Sequence, residues 1–156
     1  MAVQIPVSHE VAEEFSEFGD IITIAAGSGF GALVPVQAVA KLAPLTTKVM
    51  ILTILCRVVS AGSDQVYFAL RRNKFPFEKG FQKIPGVAFD QNPRFEVGLV
   101  NDGGEIEIVV LNKSGTTEPG AGPAAPIDVQ CGFTGAILRD KVKQGLIQQY
   151  FGMTRR

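Results

Sequence analysis

The chain has 156 residues, a length typical of one domain with a sizeable buried core. Its 15 basic and 15 acidic residues give a net charge of zero, which counts against a dedicated nucleic-acid-binding protein, because affinity for phosphates comes mostly from Lys and Arg. Only 19% of the residues are charged, and 17 Gly and 9 Pro are present, so we expect many turns and a surface that associates readily with partners.

The N-terminal segment has the spacing of a short amphipathic helix over residues 8–19. Val11, Phe15 and Phe18 recur at helical intervals, and Ser8 suits the N-cap position. Several glutamates in the first turns match the positive end of the helix dipole. The sequence therefore predicts a helical segment within residues 1–19.

The next part of the chain predicts β-structure. Residues 20–26 are a strand candidate, whereas residues 32–43, bracketed by prolines, fit either a helix or extended chain. Residues 46–60 are long, β-branched and almost entirely apolar, which is typical of a central strand. Residues 65–72 predict another strand, and the short turn at 61–64 predicts that the two form a hairpin.

A second hairpin is predicted further on. Residues 94–100 and 105–111 both alternate polar and apolar side chains, and an Asn-Asp-Gly-Gly turn at 101–104 separates them. The connection before them, residues 73–93, is rich in phenylalanine, which we expect to hold it against the core. These patterns favour antiparallel pairing between neighbours in the chain.

The last third contains a Gly- and Pro-rich segment at 112–126, expected to be an exposed, mobile loop. Residues 127–138 predict a returning strand, with Gly132 and Gly135 as bends. The tail 139–156 can hold a short helix.

The predicted fold is thus mainly β: one domain over residues 1–156, with an antiparallel β-sandwich or jelly roll at 20–138. A short helical segment at 1–19 precedes it, and the tail at 139–156 follows it.

Catalytic chemistry has little support in the sequence. His9 is the only histidine, which excludes a multi-histidine metal site and makes a histidine-based triad hard to build. Cys56 and Cys131 both lie in apolar runs, and we interpret them as buried core thiols. We expect no enzyme activity, no catalytic or metal-binding residues, no cofactor and no small-molecule substrate.

One segment resembles a dinucleotide-binding turn. Gly27, Gly29 and Ala32 occupy the glycine and alanine places of that motif, directly after a predicted strand. A genuine fingerprint needs a following helix and an acidic residue about 20 positions on, and residues 50–60 contain no acid. A simple glycine corner explains the pattern as well, so a dinucleotide-binding enzyme is the weakest alternative.

Charge is unevenly distributed. Residues 1–40 contain five acids and no Lys or Arg, whereas residues 71–83 contain five bases and one acid. Solvated faces would explain this, and aromatics among the bases would also suit single-stranded nucleic acid. Complementary patches between copies of the chain are the sharper hypothesis. The candidate subunit contacts are Glu13, Glu14, Glu17, Arg71, Arg72, Lys74, Lys79, Arg155 and Arg156.

The order of the segments KVMILTILCRVVSAGSDQVYFALRR, RFEVGLVNDGGEIEIVVLN and IDVQCGFTGAILRD resembles the small single jelly-roll proteins of virus shells. The resemblance implies a self-assembling capsid or penton-type subunit of an icosahedral virus or phage, located in the virion. Its partners would be copies of itself and other virion proteins. Many such proteins carry an Arg-rich N-terminal arm, whereas this N-terminus is acidic, so contact with nucleic acid or a membrane is expected only through the C-terminal tail.

Neither a secretory signal nor a membrane-spanning stretch is expected, which places synthesis in the host cytoplasm. The alternatives are a phage tail or head-decoration protein and a β-module that binds carbohydrate or nucleic acid. The absence of Trp counts against carbohydrate binding.

Overall fold

The computed structural model describes residues 9–31, 33–42, 49–73, 75–76, 83–101 and 105–140. The strands of this part of the chain are β1 (His9–Phe18), β2 (Ile22–Ile24), β3 (Gln37–Leu42), β4 (Val49–Val58), β5 (Val66–Arg72), β6 (Phe75–Pro76), β7 (Ile84–Pro85), β8 (Arg94–Asn101), β9 (Ile106–Asn112) and β10 (Ile127–Asp140). Two 3-10 turns, Ser63–Gln65 and Gly86–Phe89, lie between strands.

The strands form two antiparallel sheets. The first, sheet A, has the order β1-β10-β4-β8, with β2 also paired to β10. The second, sheet B, has the order β3-β9-β5-β6, with β7 also paired to β5. Because β1 and β2 share one neighbour, as do β6 and β7, these ten strands fill eight positions.

The pairing is nested along the chain. The first position pairs with the last (β1 and β2 with β10), and then β3 pairs with β9, β4 with β8, and β5 with β6 and β7. A long antiparallel ribbon rolled into two facing sheets gives this connectivity, which is that of a jelly roll. The predicted mainly β, antiparallel sandwich is therefore confirmed.

The predicted N-terminal helix is wrong. Residues 9–18 form β1, which pairs with β10 from His9–Asp140 to Phe18–Gly132. A register shift between Val11 and Glu13 breaks simple alternation, and this leaves the apolar residues at spacings that also fit a helix. Tertiary pairing with β10 overrides the local preference. The C-terminal segment that the sequence suggests as a short helix, residues 141–156, lies outside the described residues.

Both predicted hairpins are also wrong, although their strands are present. β4 belongs to sheet A and β5 to sheet B, so the short connection between them crosses from one sheet to the other. The same holds for β8 in sheet A and β9 in sheet B. The ambiguous segment at 32–43 contains β3.

The core lies between the sheets and consists of side chains that alternate inward. On β9, Ile106, Ile108 and Val110 are fully buried, and on β10 the same is true of Val129 and Cys131. The largest fully buried apolar side chains are Ile24, Ile54, Phe68, Leu70, Ile106, Ile108, Ile127 and Phe133. Full burial of each such side chain stabilises the fold by about 1.5–3 kcal/mol, which makes this interface the main source of stability.

Four connections meet at one end of the sandwich: 25–36, 59–65, 86–93 and 113–126. Hydrogen bonds join them there, because the Gln65 side chain donates to Gly120 O at 3.1 Å and the Ser63 hydroxyl donates to Asp90 Oδ2 at 2.9 Å. We call this the four-loop end.

Candidate functional site

The acidic side chains that the sequence singles out lie along an edge strand. Glu13, Glu14 and Glu17 are exposed on β1, which has β10 as its only strand neighbour among the described residues. Successive strand residues point to opposite faces, so Glu13 and Glu14 put negative charge on both sides of this strand. We call β1 the acidic edge.

The acidic edge is held tightly to β10. A side chain at Gly132 would overlap the Glu17 carbonyl oxygen and come within 2.8 Å of the Phe18 Cα, so only glycine permits this approach. After β1, the Gly19 amide donates to Cys131 O at 2.9 Å, and the Gln130 side chain donates to Gly19 O at 2.9 Å. These contacts fix the last turn of chain before β2.

A groove of about 550 Å³ separates the acidic edge from sheet B. Its walls are Ser16, Glu17, Phe18, Gly19, Val39, Ala40, Lys41, Gly132 and Phe133. Phe18 is 47% exposed there, whereas Val39 and Phe133 are buried. The groove thus offers apolar surface beside one exposed carboxylate, that of Glu17, and one exposed amine, that of Lys41.

The basic stretch is used largely within the chain. Arg71 on β5 lies directly opposite Glu107 on β9, and its Nη2 is 2.5 Å from Glu107 Oε1. Glu107 is only 2% exposed. A carboxylate this deeply buried requires a cation, so the charge of Arg71 is neutralised by its own chain and is not available to a neighbouring subunit.

Two lysines, Lys83 and Lys113, lie close to the ring of Tyr67 on β5. Lys83 Nζ lies 4.5 Å from the ring centroid of Tyr67 and 5.8 Å from that of Phe30, a cation–π arrangement. In the 113–126 loop, Lys113 Nζ donates to Pro119 O at 3.1 Å and lies 5.6 Å from the Tyr67 ring centroid. Lys83 thus links Phe30, in the glycine-rich turn at residues 27–31 (the glycine turn), to Tyr67 on β5. Lys113 links the 113–126 loop to the ring of Tyr67.

The predicted contact residues that the structure describes lie in two separate places. The glutamates belong to the lateral edge of sheet A, whereas Arg71 and Arg72 are half-buried on β5 in sheet B. Lys74, Lys79, Arg155 and Arg156 lie outside the described residues.

The glycine turn lines a cleft at the four-loop end. The cleft measures about 660 Å³ and lies between residues 26–34 and 114–124, with Phe30, Thr117 and Glu118 among its walls. The turn leads into β3 rather than a helix, and the amides of Ser28 and Gly29 already donate to Ala25 O and Val34 O. The described chain therefore lacks the helix N-terminus on which a dinucleotide phosphate would rest.

Sequence reasoning missed the polar anchor of this end. Asn112 is fully buried, its Nδ2 donates to Ile24 O at 3.3 Å and to Ala125 O at 2.9 Å, and its Oδ1 accepts from the Ser114 amide at 3.0 Å. The base of the 112–126 loop is therefore fastened by hydrogen bonds, not only by the strands that flank it. The available signal was an Asn at the junction of an apolar strand and a Gly/Pro-rich loop, a type of residue that bonds nearby backbone.

Both cysteines are free and buried, as the sequence predicts. Burial, together with a side-chain hydrogen bond between the neutral Cys56 thiol and Cys131, raises the pKa of Cys56 well above its ordinary value, which keeps that thiol neutral and unreactive. Within the described residues, no group of three or more His, Cys, Asp or Glu side chains is placed to bind a metal ion. His9 begins β1, and its side chain lies outside what is described.

In the described part of the chain, no helix has the length and apolar character needed to cross a bilayer. In comparisons with known proteins, no family model, no curated protein and no solved structure matches this chain.

Proposed function

We propose that this chain is a structural subunit of a virus shell, a capsid or penton-type protein that acts by self-assembly in the virion. The observation that carries the proposal is the nested eight-position jelly roll, an architecture that viral capsid proteins share with lectin domains and cupins. The proposal rests on this fold-level analogy, joined to the surface features of β1.

The position of the acidic edge supports contact with a different surface of the next copy. β1 forms one lateral edge of the sandwich, beside β3, whereas β8 and β6 lie at the other lateral edge. Identical acidic edges repel each other, so a two-fold contact between them is disfavoured. A head-to-tail contact remains, and such contacts generate rings when the rotation closes.

The first test is the solution mass of the purified chain, by size-exclusion chromatography with light scattering, across a salt series. We expect a discrete closed oligomer or particle whose association weakens as salt rises, because exposed charges are screened over about 10 Å at 0.1 M salt. A monomer at high concentration would contradict the proposal. Electron microscopy of the assembly then separates a closed shell from the tube expected of a tail protein.

Charge reversal tests the acidic edge. The triple variant Glu13→Lys, Glu14→Lys, Glu17→Lys should reduce assembly at low salt without changing the fold seen by circular dichroism. The matched control is the triple variant Asp64→Lys, Asp90→Lys, Glu118→Lys, which changes the net charge equally at three exposed acids of the four-loop end. Equal loss of assembly in both variants would show that net charge, and not the acidic edge, governs association.

A carbohydrate-binding module is the second candidate, and the cleft at the four-loop end favours it. Its volume suits a small ligand, Phe30 offers a ring for stacking against a sugar, and Thr117 and Glu118 are exposed hydrogen-bonding side chains. Screening the protein against an array of glycans tests this function. Binding that Phe30→Ala abolishes, in a chain that stays monomeric, would favour this candidate over the shell subunit.

A further inference from the structure

We infer that the acidic edge and the groove beside it bind the basic C-terminal segment, residues 141–156, of a neighbouring copy. This inference rests on the proposed self-assembly and identifies the partner surface of the same site.

The acidic edge is open to an additional strand. Among the described residues β1 pairs on one side only, so backbone N–H and C=O groups on its other side have no strand neighbour. The groove of about 550 Å³ lies at the end of β1 nearest Phe18, which is one of its walls and is 47% exposed. An extended peptide added at such an edge gains main-chain hydrogen bonds and contacts for alternate side chains.

The negative charge of β1 determines which kind of segment can bind at the acidic edge. Residues 9–18 contain four glutamates and no Lys or Arg. A second copy of β1 would place like charges opposite one another, which is destabilising. In the groove walls the one basic side chain, Lys41, balances the one acid, Glu17, so the excess negative charge is that of the other glutamates of β1. The acidic edge therefore favours a basic partner.

Two basic segments of the sequence fit this preference, and the structure favours one of them. In the segment 71–83, Arg71 is paired with Glu107, and Lys83 lies against Tyr67 and Phe30. Residues 141–156 contain two Lys, two Arg and no acid, together with apolar residues suited to contact Phe18. The C-terminal segment is thus the complementary partner in the chain.

A neighbour is a better donor than the same chain. The described part of β10 ends at Asp140, opposite His9, so residues 141–156 follow β10 at the end of the sheet where the described part of β1 begins. To reach the free side of its own β1, the tail would have to pass around the chain that enters β1, and connections rarely cross at one sheet edge. A tail from the next copy meets no such crossing, and repeated donation gives a ring when the rotation between copies closes.

Site-directed disulfide cross-linking of full-length chains tests this inference. A Glu14→Cys chain is mixed with an affinity-tagged Lys143→Cys chain and exposed to a mild disulfide oxidant; two thiols lose their protons and two electrons to the oxidant as the S–S bond forms. We expect a covalent heterodimer of one tagged and one untagged chain. The matched control replaces Glu14→Cys with Glu118→Cys, also exposed but at the four-loop end, and should give at least tenfold less heterodimer.

The doubly substituted chain, Glu14→Cys with Lys143→Cys, separates the two possible donors. A bond within single chains that persists on dilution would assign the groove to the chain's own tail and overturn the inference. Light scattering on the same samples separates the two proposals: assembly without a Glu14–Lys143 cross-link overturns the inference alone, whereas a monomer without a cross-link overturns both.

Charge exchange gives a second measurement. Reversal of Glu13, Glu14 and Glu17 to Lys should raise the dissociation constant of the assembly at least tenfold, as should reversal of the four basic tail residues to Glu. A chain that carries both sets should return to within about threefold of the native value. Failure of the combined chain to recover, while it remains folded, would contradict direct contact between the two segments.

Discussion

Cys56 on β4 and Cys131 on β10 lie directly opposite each other, and both are fully buried. The Cys56 amide donates to Pro93 O at 2.8 Å, and Cys131 O accepts from the Gly19 amide, so the backbone groups of both residues point away from each other. The two cysteines are therefore a non-hydrogen-bonded antiparallel pair, the type in which side chains approach most closely.

The first prediction is that these thiols do not react with thiol reagents in the folded chain and that their contribution to its stability depends on pH. A thiol reagent at neutral pH should modify neither cysteine in the folded chain and both in urea. The pKa of Cys56 is raised above 9.0 in the folded state, because burial and the Cys131 hydrogen bond disfavour the thiolate. Its contribution to stability is thus complete below about pH 9 and is lost as pH rises through the folded-state pKa, since the unfolded chain ionises first.

Urea unfolding of the native chain and of Cys56→Ala at several pH values tests whether the contribution of Cys56 to stability falls as pH rises. The stability difference between the two should shrink above pH 9. Fast modification of the native chain at pH 7 would contradict the burial of the pair.

The second prediction concerns Arg71 and Glu107. Arg71→Met leaves the 2% exposed carboxylate of Glu107 without its cation, and we expect a loss near the lower end of the roughly 3–5 kcal/mol typical of a broken buried pair, since Arg71 is itself 23% exposed. The double variant Arg71→Met, Glu107→Leu should recover much of this, because no charge remains buried. Chemical denaturation of the native chain, Arg71→Met, Glu107→Leu and the double variant measures the four free energies of unfolding.

Arg57→Met is the matched control, because Arg57 is exposed on β4 and its removal should change the free energy of unfolding by less than about 0.5 kcal/mol. A double variant as unstable as the sum of its single variants would show that Arg71 and Glu107 do not interact.

Strand positions followed from the sequence because side-chain alternation is a local property. β4 and β5 fall within segments whose β-branched and alternating residues predict strands, and β8, β9 and β10 extend past their predicted segments by only one or two residues. Sheet membership is not local. The short connection from β4 to β5 crosses between sheets, and an antiparallel turn of the same length would carry similar residues.

The sequence also predicts only the local properties of the candidate site. The exposure of Glu13, Glu14 and Glu17 follows from charge alone, whereas their position on an edge strand depends on pairing with β10, more than a hundred residues away. The sequence also places Arg71 among free basic residues, because nothing local indicates that Glu107 lies opposite it. Partners that come from distant strands are invisible to a pattern within one segment.

The third prediction concerns Gly132, where β1 approaches β10 too closely for any side chain. Gly132→Ala should push β1 off its neighbour, because the added methyl meets the backbone of Glu17 and Phe18, which cannot rotate away. Forced shifts of packed backbone typically cost about 1–3 kcal/mol. Hydrogen exchange should accelerate across β1 and stay unchanged in β5 and β9.

Gly122→Ala is the control for this variant, because the nearest atom to its added methyl is Gln65 Oε1 at 3.6 Å, an ordinary contact at the end of a flexible side chain. Exchange in β1 that is identical in the two variants would mean that β1 does not require glycine at position 132.

The last prediction concerns Asn112, whose side chain fastens the four-loop end. Its Nδ2 donates to Ile24 O and Ala125 O, so it joins β2 to the far base of the 113–126 loop. Asn112→Leu removes these bonds: the Ser114 amide loses its partner, and Ile24 O and Ala125 O each lose one donor, although Ala125 O still accepts from Ser114 Oγ at 2.9 Å. An orphaned buried group costs about 1–3 kcal/mol, so we expect a loss of this order in the free energy of unfolding.

The loop should also become more susceptible to proteolysis in Asn112→Leu, because its ends are then held together only by the hydrogen bonds between Ser114 and Ala125 and between Gly115 and Gly122. Limited proteolysis followed by mass spectrometry should place the new cuts within residues 115–124. Thr117→Ala, an exposed change in the same loop, should leave both the unfolding midpoint and the cleavage pattern as in the native chain. If Asn112→Leu is as stable and as resistant as this control, the hydrogen bonds of Ser114 and Gly115 suffice to hold the loop, and the buried amide of Asn112 is dispensable.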